Sequence, residues 1–262
     1  MPEKTIEIKL YFTHQDVTEL DLKDRNVVVI DVLRTSTTMT AGLFNGAKEI
    51  IPTTDAATAG LIGRNSMGEA LLCGERNGRI IHGFNLGNSV KEFTNPVVQD
   101  KTLIFSTTNG TPAIIKSKFA KNCIIASFVN ISTGAEYLKT LKKDFIILCS
   151  GKTAEFSLED TVCAGMLIEL TIKTSEEKYQ LTDSALGAVK LFSAYRDNIA
   201  GMLQESEHGK FLRDLGFADD LDACSRVDSF SCLPVLKNGI IRLIGAFEAD
   251  PKLRMKKVAS NK

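Results

Sequence analysis

Residues Val27-Val28-Val29-Ile30 form an unbroken apolar run that ends on Asp31, and Arg34, Thr35, Ser36, Thr37 and Thr38 follow almost at once. A run this apolar reads as a strand buried on both faces, which requires helices packed against both sides of a sheet. Asp31 then stands at the carboxyl end of that strand, where open α/β sheets gather ligands. A carboxylate there can hold a cation, while a guanidinium and the amides of a following helix can hold a phosphate. The stretch therefore proposes an anion site with a metal beside it.

The rest of the chain repeats this alternation. Thr5 to Phe12 places Ile6, Ile8, Leu10 and Phe12 on one side and predicts a half-buried strand. Strands are also predicted at Val27–Asp31, Glu49–Pro52, Leu71–Cys73, Lys101–Ser106, Cys123–Ser127 and Phe145–Cys149. Helices are predicted at Thr35–Asn45, after Asp55 to Arg64, from Pro112 to Phe119, at Ile131–Leu141 and at Glu159–Thr171. Gly74 to Pro96 reads as one long polar loop. In the last third, Asp183 to Gln204 reads as a single long helix. Ser206–Leu215 and Phe217–Arg226 read as shorter ones, and Val235–Leu243 as a hairpin turning at Asn238-Gly239. The expected fold is a layered α/β/α protein with a largely parallel or mixed sheet, built as one domain over residues 1–262. Residues 26–52 and 101–126 form a weak internal repeat: each runs strand, hydroxyl-rich loop, helix, Ala-Lys, strand. It reads either as duplication, giving two similar βαβ-type halves, or as two unrelated βαβ units. Residues 249–262 read as a flexible basic tail.

Bulk properties exclude several classes. Lys and Arg balance Asp and Glu at 32 each, so no global field draws nucleic acid or an acidic membrane. Trp is absent, and the other aromatics form no stacking platform for bases. No apolar run reaches the roughly 20 residues of a membrane span, and the first ten residues lack a signal core, so a cytoplasmic protein is expected. The six cysteines show no C-x-x-C spacing and read as buried, reduced thiols. Apolar hairpin faces near the C-terminus fit a homodimer.

Several segments carry chemistry-bearing residues just after predicted strands. Asp31 reads either as a helix cap or as a metal ligand, and Arg34 either as a surface residue or as a phosphate ligand. In Cys73-Gly74-Glu75-Arg76-Asn77-Gly78 an acid and a base follow a strand among glycines, which reads as a plain surface turn or as a site. Ser106-Thr107-Thr108-Asn109-Gly110-Thr111 leads from a strand into a helix and offers hydroxyls and amides to an anion. It lacks the spacing and the lysine of a P-loop. Ser157-Leu158-Glu159-Asp160 opens another helix, where its acids either favour the macrodipole or face a ligand. Asp31, Glu75, Glu159 and Asp160 together make an oxygen-rich set suited to Mg²⁺. His208, at a helix start, is either structural or an acid/base and phosphate donor.

Six segments, in order, resemble the 2-phosphosulfolactate phosphatase family, Mg²⁺-dependent enzymes of coenzyme M biosynthesis. They are Val29-Ile30-Asp31-Val32-Leu33-Arg34-Thr35-Ser36-Thr37, Gly74-Glu75-Arg76, Gly83-Phe84-Asn85-Leu86-Gly87-Asn88-Ser89, Thr107-Thr108-Asn109-Gly110-Thr111, Leu158-Glu159-Asp160-Thr161-Val162-Cys163-Ala164-Gly165, and Ser206-Glu207-His208-Gly209. Asn77, Asn85 and Val90 depart from the family pattern, all within the long loop, and bear on substrate choice.

The resemblance implies hydrolysis of the phosphate ester of (R)-2-phospho-3-sulfolactate. Asp31, Glu75 and Glu159 or Asp160 would hold Mg²⁺. Arg34, Thr107, Thr108, Asn109 and the Gly110 amide would bind the phosphoryl oxygens. Thr35, Ser36, Ser89 and Thr111 belong to the same expected substrate wall. Arg76 and Asn88 would receive the sulfonate or carboxylate, and His208 would act in catalysis. Leu33 stands where a D-x-D aspartyl-phosphate motif would carry its second Asp, which favours attack by water over a phosphoenzyme. The alternatives are a phosphatase of another small phospho-acid and a non-catalytic phosphate or nucleotide binder.

Overall fold

The computed structural model describes residues 5–66, 69–153, 155–173 and 175–245. The strands are β1 (Thr5–Tyr11), β2 (Asn26–Ile30), β3 (Glu49–Pro52), β4 (Ala70–Arg76), β5 (Arg79–Ile80), β6 (Thr102–Ser106), β7 (Asn122–Ala126), β8 (Phe145–Cys149), β9 (Lys178–Leu181), β10 (Pro234–Lys237) and β11 (Ile240–Leu243). The helices are α1 (Glu19–Leu22), α2 (Thr35–Phe44), α3 (Ala56–Arg64), α4 (Asn95–Val98), α5 (Gly110–Lys116), α6 (Ile131–Leu141), α7 (Leu158–Lys173), α8 (Asp183–Tyr195), α9 (Ile199–Glu205), α10 (Glu207–Asp214) and α11 (Ala218–Ser225). The basic tail at 249–262 lies outside the described residues. Among the described residues no helix is long and apolar enough to cross a membrane.

The strands form one mixed sheet in the order β5-β4-β6-β3-β11-β10-β7-β2-β8-β1-β9. Every residue of β2 is buried. Val28 and Ile30 face a core shared with α6, α7 and α8, while Val27 and Val29 face the core that holds Met39 of α2 and Ile114 of α5. That two-sided burial is what the apolar run demanded. Each such side chain stabilises the fold by about 1.5–3 kcal/mol, so a charge at Val28 would disrupt it.

The strands of the two similar stretches, 26–52 and 101–126, pair crosswise. β2 pairs in parallel with β7, and β3 pairs in parallel with β6. The first strand of each unit thus lies against the second strand of the other. The hairpin β10–β11 fills the gap, antiparallel to β7 on one side and to β3 on the other. Three antiparallel pairings in a row reverse direction between the two parallel blocks. The right-handed twist of roughly 20–25° per strand pair accumulates across the intervening strands and turns the blocks out of direct opposition. The carboxyl ends of β2 and β6 meet, with Thr35 Oγ1 donating to Thr107 Oγ1 at 3.2 Å.

Four local expectations change. The stretch 183–204 is two helices, because Asn198 leaves helical geometry and its side chain accepts from Gly201 N at 2.9 Å to start α9. β4 runs on to Arg76 and folds back through Asn77-Gly78 into β5, so the long loop begins later than the polarity of its sequence indicates. Helix α5 starts at Gly110 and ends at Lys116, which puts Pro112 at its third position rather than its first. The edge strand β9 is only four residues long, with Lys178 and Gln180 exposed and Tyr179 and Leu181 partly buried, and sequence reasoning missed its brief alternation. The cysteines of the described residues are free thiols, five buried and Cys232 half-buried. Burial pushes Cys123 up to about 12.

Candidate active site

The hydroxyl block after Asp31 is largely spent inside the protein. Asp31 N donates to Ser36 Oγ, Thr37 Oγ1 donates to Val32 O, Thr38 Oγ1 to Asn88 O and Thr40 Oγ1 to Ser36 O. Helix α2 carries these hydroxyls because it is buried nearly all round, and each buried polar group must find a partner. Ser36 therefore braces the strand end and does not line a cavity. Asp31 Oδ1 accepts from Thr35 N at 3.1 Å at the start of α2, and the residue lines a cavity of about 210 Å³. Burial pushes its carboxyl up; the Thr35 bonds and the His208 ring oppose this, and the charge of Glu75 adds to it.

Glu75 lines the same cavity from the end of β4. Oε2 accepts from Gly78 N at 2.9 Å and Oε1 from Thr108 N at 2.8 Å, so it ties the β4–β5 turn to the loop after β6. That loop sits close because Gly74, at φ +145°, lets β4 approach: a Cβ there would lie 2.0 Å from Ser106 O. Thr107 and Thr111 bond one another, with Thr111 N donating to Thr107 Oγ1 at 3.0 Å and Thr107 N to Thr111 Oγ1 at 2.9 Å. Thr108 and Asn109 are left on the cavity wall. Gly110 passes against the first acid, since a Cβ there would stand 2.4 Å from Asp31 Oδ2.

His208, on the first turn of α10, is the cavity's histidine, and its Nδ1 lies 3.3 Å from Glu159 Oε1. Burial pushes Glu159 up, but the hydrogen bond and charge of His208 outweigh it and hold the carboxyl below its ordinary value. Asp160 turns away. Oδ1 accepts from Val32 N at 2.8 Å, and Oδ2 accepts from Ser150 Oγ at 3.0 Å and Gly151 N at 3.3 Å. Burial, with Asp31 and Glu159 nearby, pushes its carboxyl well up. Of the four acids expected at a metal, Asp31 and Glu75 line the cavity, Glu159 reaches it through His208, and Asp160 stands behind it.

Arg34 lines the cavity and is buried, with Nη1 donating to Asp220 Oδ2 at 2.8 Å and Nη2 to Gly78 O at 2.8 Å. Its guanidinium carbon lies 4.3 Å from the centre of the Phe217 ring. Ser89 serves this network rather than the cavity, donating from Oγ to Asp220 Oδ1 at 2.6 Å. Arg76 also points away from the cavity: it donates to Glu75 O, Ser106 O and Ser106 Oγ. Asn88 lines the cavity, and its Oδ1 is buried with no hydrogen-bond partner among the described residues. Sequence reasoning missed Asp220 and Lys152, while Asn77, noted for substrate choice, lines the cavity. Asp220 stood in the first turn of a helix, where an acid needs no further explanation. Lys152 followed a strand in Gly151-Lys152-Thr153, a position that could have been noted.

Among the described residues no three Asp, Glu, His or Cys side chains form a closed metal cage. Mg²⁺ does not require one, since it keeps waters and takes one or two carboxylates together with phosphate oxygens. The carboxylates of Asp31 and Glu75 on the cavity lining are hard oxygen donors of the kind that ion takes.

A layered α/β scaffold brings two acids near strand ends and a carboxylate-paired histidine of α10 onto one cavity, an arrangement suited to an enzyme. The family model of 2-phosphosulpholactate phosphatase matches residues 11–239. A probable 2-phosphosulfolactate phosphatase of Caldanaerobacter subterraneus is 37% identical over 236 residues, covering 90% of this chain and 97% of the relative. Proteins of the same description from Thermotoga maritima and Symbiobacterium thermophilum are 37% and 38% identical, over 84% and 86% of this chain and 92% and 96% of their own lengths. The chain belongs to the 2-phosphosulfolactate phosphatase family, and with it to the phosphoric monoester hydrolases.

Proposed function

We propose that this chain hydrolyses (R)-2-phospho-3-sulfolactate to 3-sulfolactate and phosphate with Mg²⁺ as its cofactor. The observation that carries the reading is the convergence of Asp31, Glu75 and His208 on one cavity from three separate parts of the chain. Asp31 and Glu75 are the residues that would hold Mg²⁺. When bound, the ion offsets phosphate charge and polarises the phosphoryl oxygens. Thr108 and Asn109 face the phosphoryl group, and Arg34 supplies positive charge from a fixed position. Water attacks phosphorus and the ester P–O bond breaks: the sulfolactate oxygen takes a proton from His208, which Glu159 keeps oriented, one proton of the water stays on the released hydrogen phosphate, and the other returns to His208 through solvent. A pure anion binder would gain nothing from two carboxylates beside its ligand unless a cation lay between them.

Phosphate release is to be measured from phosphosulfolactate and from p-nitrophenyl phosphate, with EDTA and after Mg²⁺ is restored. Release from phosphosulfolactate that stops with EDTA and returns with Mg²⁺ supports the reading. Release from p-nitrophenyl phosphate alone assigns the site to another phospho-acid. Release from neither, in any metal condition, identifies a binder.

A further inference from the structure

Three basic side chains line the cavity: Arg34, Lys152 and His208. Two are committed. Arg34 is paired with the buried carboxylate of Asp220, and His208 with the buried carboxylate of Glu159. Lys152 differs. Its ammonium pairs with Glu207, whose side chain is 81% exposed, while its own is 23% exposed. An ion pair with a partner that far into water contributes little, so an arriving anion displaces Glu207 at small cost.

Lys152 is also held in place. Its backbone forms a tight antiparallel bridge with Glu155, with N–O distances of 3.0 and 2.9 Å. One end of this turn is fastened where Gly151 N donates to Asp160 Oδ2 at 3.3 Å. The other is fastened where Thr153 N donates to Asn109 Oδ1 at 3.0 Å. Asp160, which does not line the cavity, thus helps fix the turn that delivers Lys152, and Asn109 ties it to the loop facing the phosphoryl group. The aromatic wall contributes too: the Lys152 ammonium lies 5.8 Å from the centre of the Phe211 ring, and both residues line the cavity.

We infer that Lys152 is the specificity-determining cation that receives the second anionic group of the substrate, a sulfonate or carboxylate, and so selects phosphate esters of small acids over neutral phosphate esters. The inference rests on the reading that the phosphoryl group lies against Asp31 and Glu75. It replaces Arg76 in that role, whose guanidinium is turned into the β4–β6 junction.

The test compares Lys152→Ala, Lys152→Arg and a control, Lys118→Ala, whose partner is Glu19 on the distant α1. Loss of a charge-assisted bond is expected to lower kcat/KM on phosphosulfolactate about 10- to 100-fold more than on p-nitrophenyl phosphate. The loss should fall mainly in KM, with K152R restoring most of it and K118A changing neither substrate. Binding of 3-sulfolactate by calorimetry should weaken by a similar factor in K152A. Equal losses on both esters, no loss on either, or unchanged sulfolactate binding would overturn the inference. If the wild-type protein leaves phosphosulfolactate intact, the substrate reading falls on its own. Lys152 is then judged on glycerate 2-phosphate against glycerol 2-phosphate, which differ by one carboxylate. Their preference is read from turnover, or from calorimetric binding where neither turns over. A preference for the acid that K152A abolishes sustains the role, and one that K152A leaves intact, or no preference at all, ends it.

Discussion

Nδ1 of His208 stands 3.3 Å from Oε1 of Glu159, and the pair joins the first turns of α10 and α7 across the back of the cavity. The contact fixes the imidazole, leaves Nε2 for the ligand, and puts a full negative charge behind the ring. Replacing Glu159 with Gln keeps an acceptor and removes the charge. Turnover should fall about 10-fold or more, because charged acceptors bind roughly twice as strongly as neutral ones. Glu159 is held below its ordinary value, so its contribution to stability is present above the unfolded carboxyl range and is lost as pH falls through the folded value. The stability deficit of E159Q, read by denaturant titration, should therefore be full at neutral pH and shrink in acid.

Asp31→Asn should separate activity from stability. Burial raises the Asp31 carboxyl, so its ionised form at neutral pH weighs against the fold, and that penalty grows as pH rises from the unfolded carboxyl range through the folded value. In EDTA the variant should be inactive and melt higher than the wild type, by roughly 2–4 °C for each kcal/mol relieved at this chain length. Added Mg²⁺ should raise the wild-type Tm and leave D31N where it was. Equal Mg²⁺ shifts in both proteins would remove Asp31 from the ion.

Asp220 and Arg34 form a buried pair reinforced by Ser89. Truncating Asp220 to Ala strands the guanidinium and should cost about 3–5 kcal/mol in urea unfolding. The double variant Arg34→Ala/Asp220→Ala should recover part of that loss, so the two single costs will not add. Arg34→Lys should fail in turnover although it keeps the charge, because an ammonium cannot fork to Asp220 and Gly78 O together.

Gly110→Ala places a methyl 2.4 Å from Asp31 Oδ2 and 2.4 Å from Thr35 Cβ. Both neighbours are buried and bonded, so the backbone of α5 must move away. Kinetics should show a loss on the order of 100-fold from displaced groups, and thermal melting a destabilisation of about 1–3 kcal/mol.

The scaffold was legible where one signal dominated. The apolar run at 27–30 could only be a doubly covered strand, and Ile131–Leu141 and Phe145–Cys149 fell where periodicity put them. The placement of Asp31 and Glu75 near strand ends was readable, although each also allowed an ordinary reading as a cap or a surface turn. What escaped was whatever depends on contact across the chain. The hydroxyls after Asp31 looked like anion ligands, yet Ser36 and Thr37 are consumed by the strand end they follow. Arg76 had the right charge and position, but Ser106 claims it. Asp220 lies 186 residues from Arg34, and no local pattern reports such a partner.

The hairpin β10–β11 lies between β3 and β7, and both of those strands are made long before it. A nascent polypeptide therefore carries two half-sheets with raw inner edges until residues 234–243 emerge and bridge them. Those edges are exposed to pairing with other chains for most of synthesis. The capping insertion is a late, long-range event that should set the pace of folding. The cavity takes Asp31 and Glu75 from the first half of the chain and Lys152 and His208 from the second, so neither half holds the whole site.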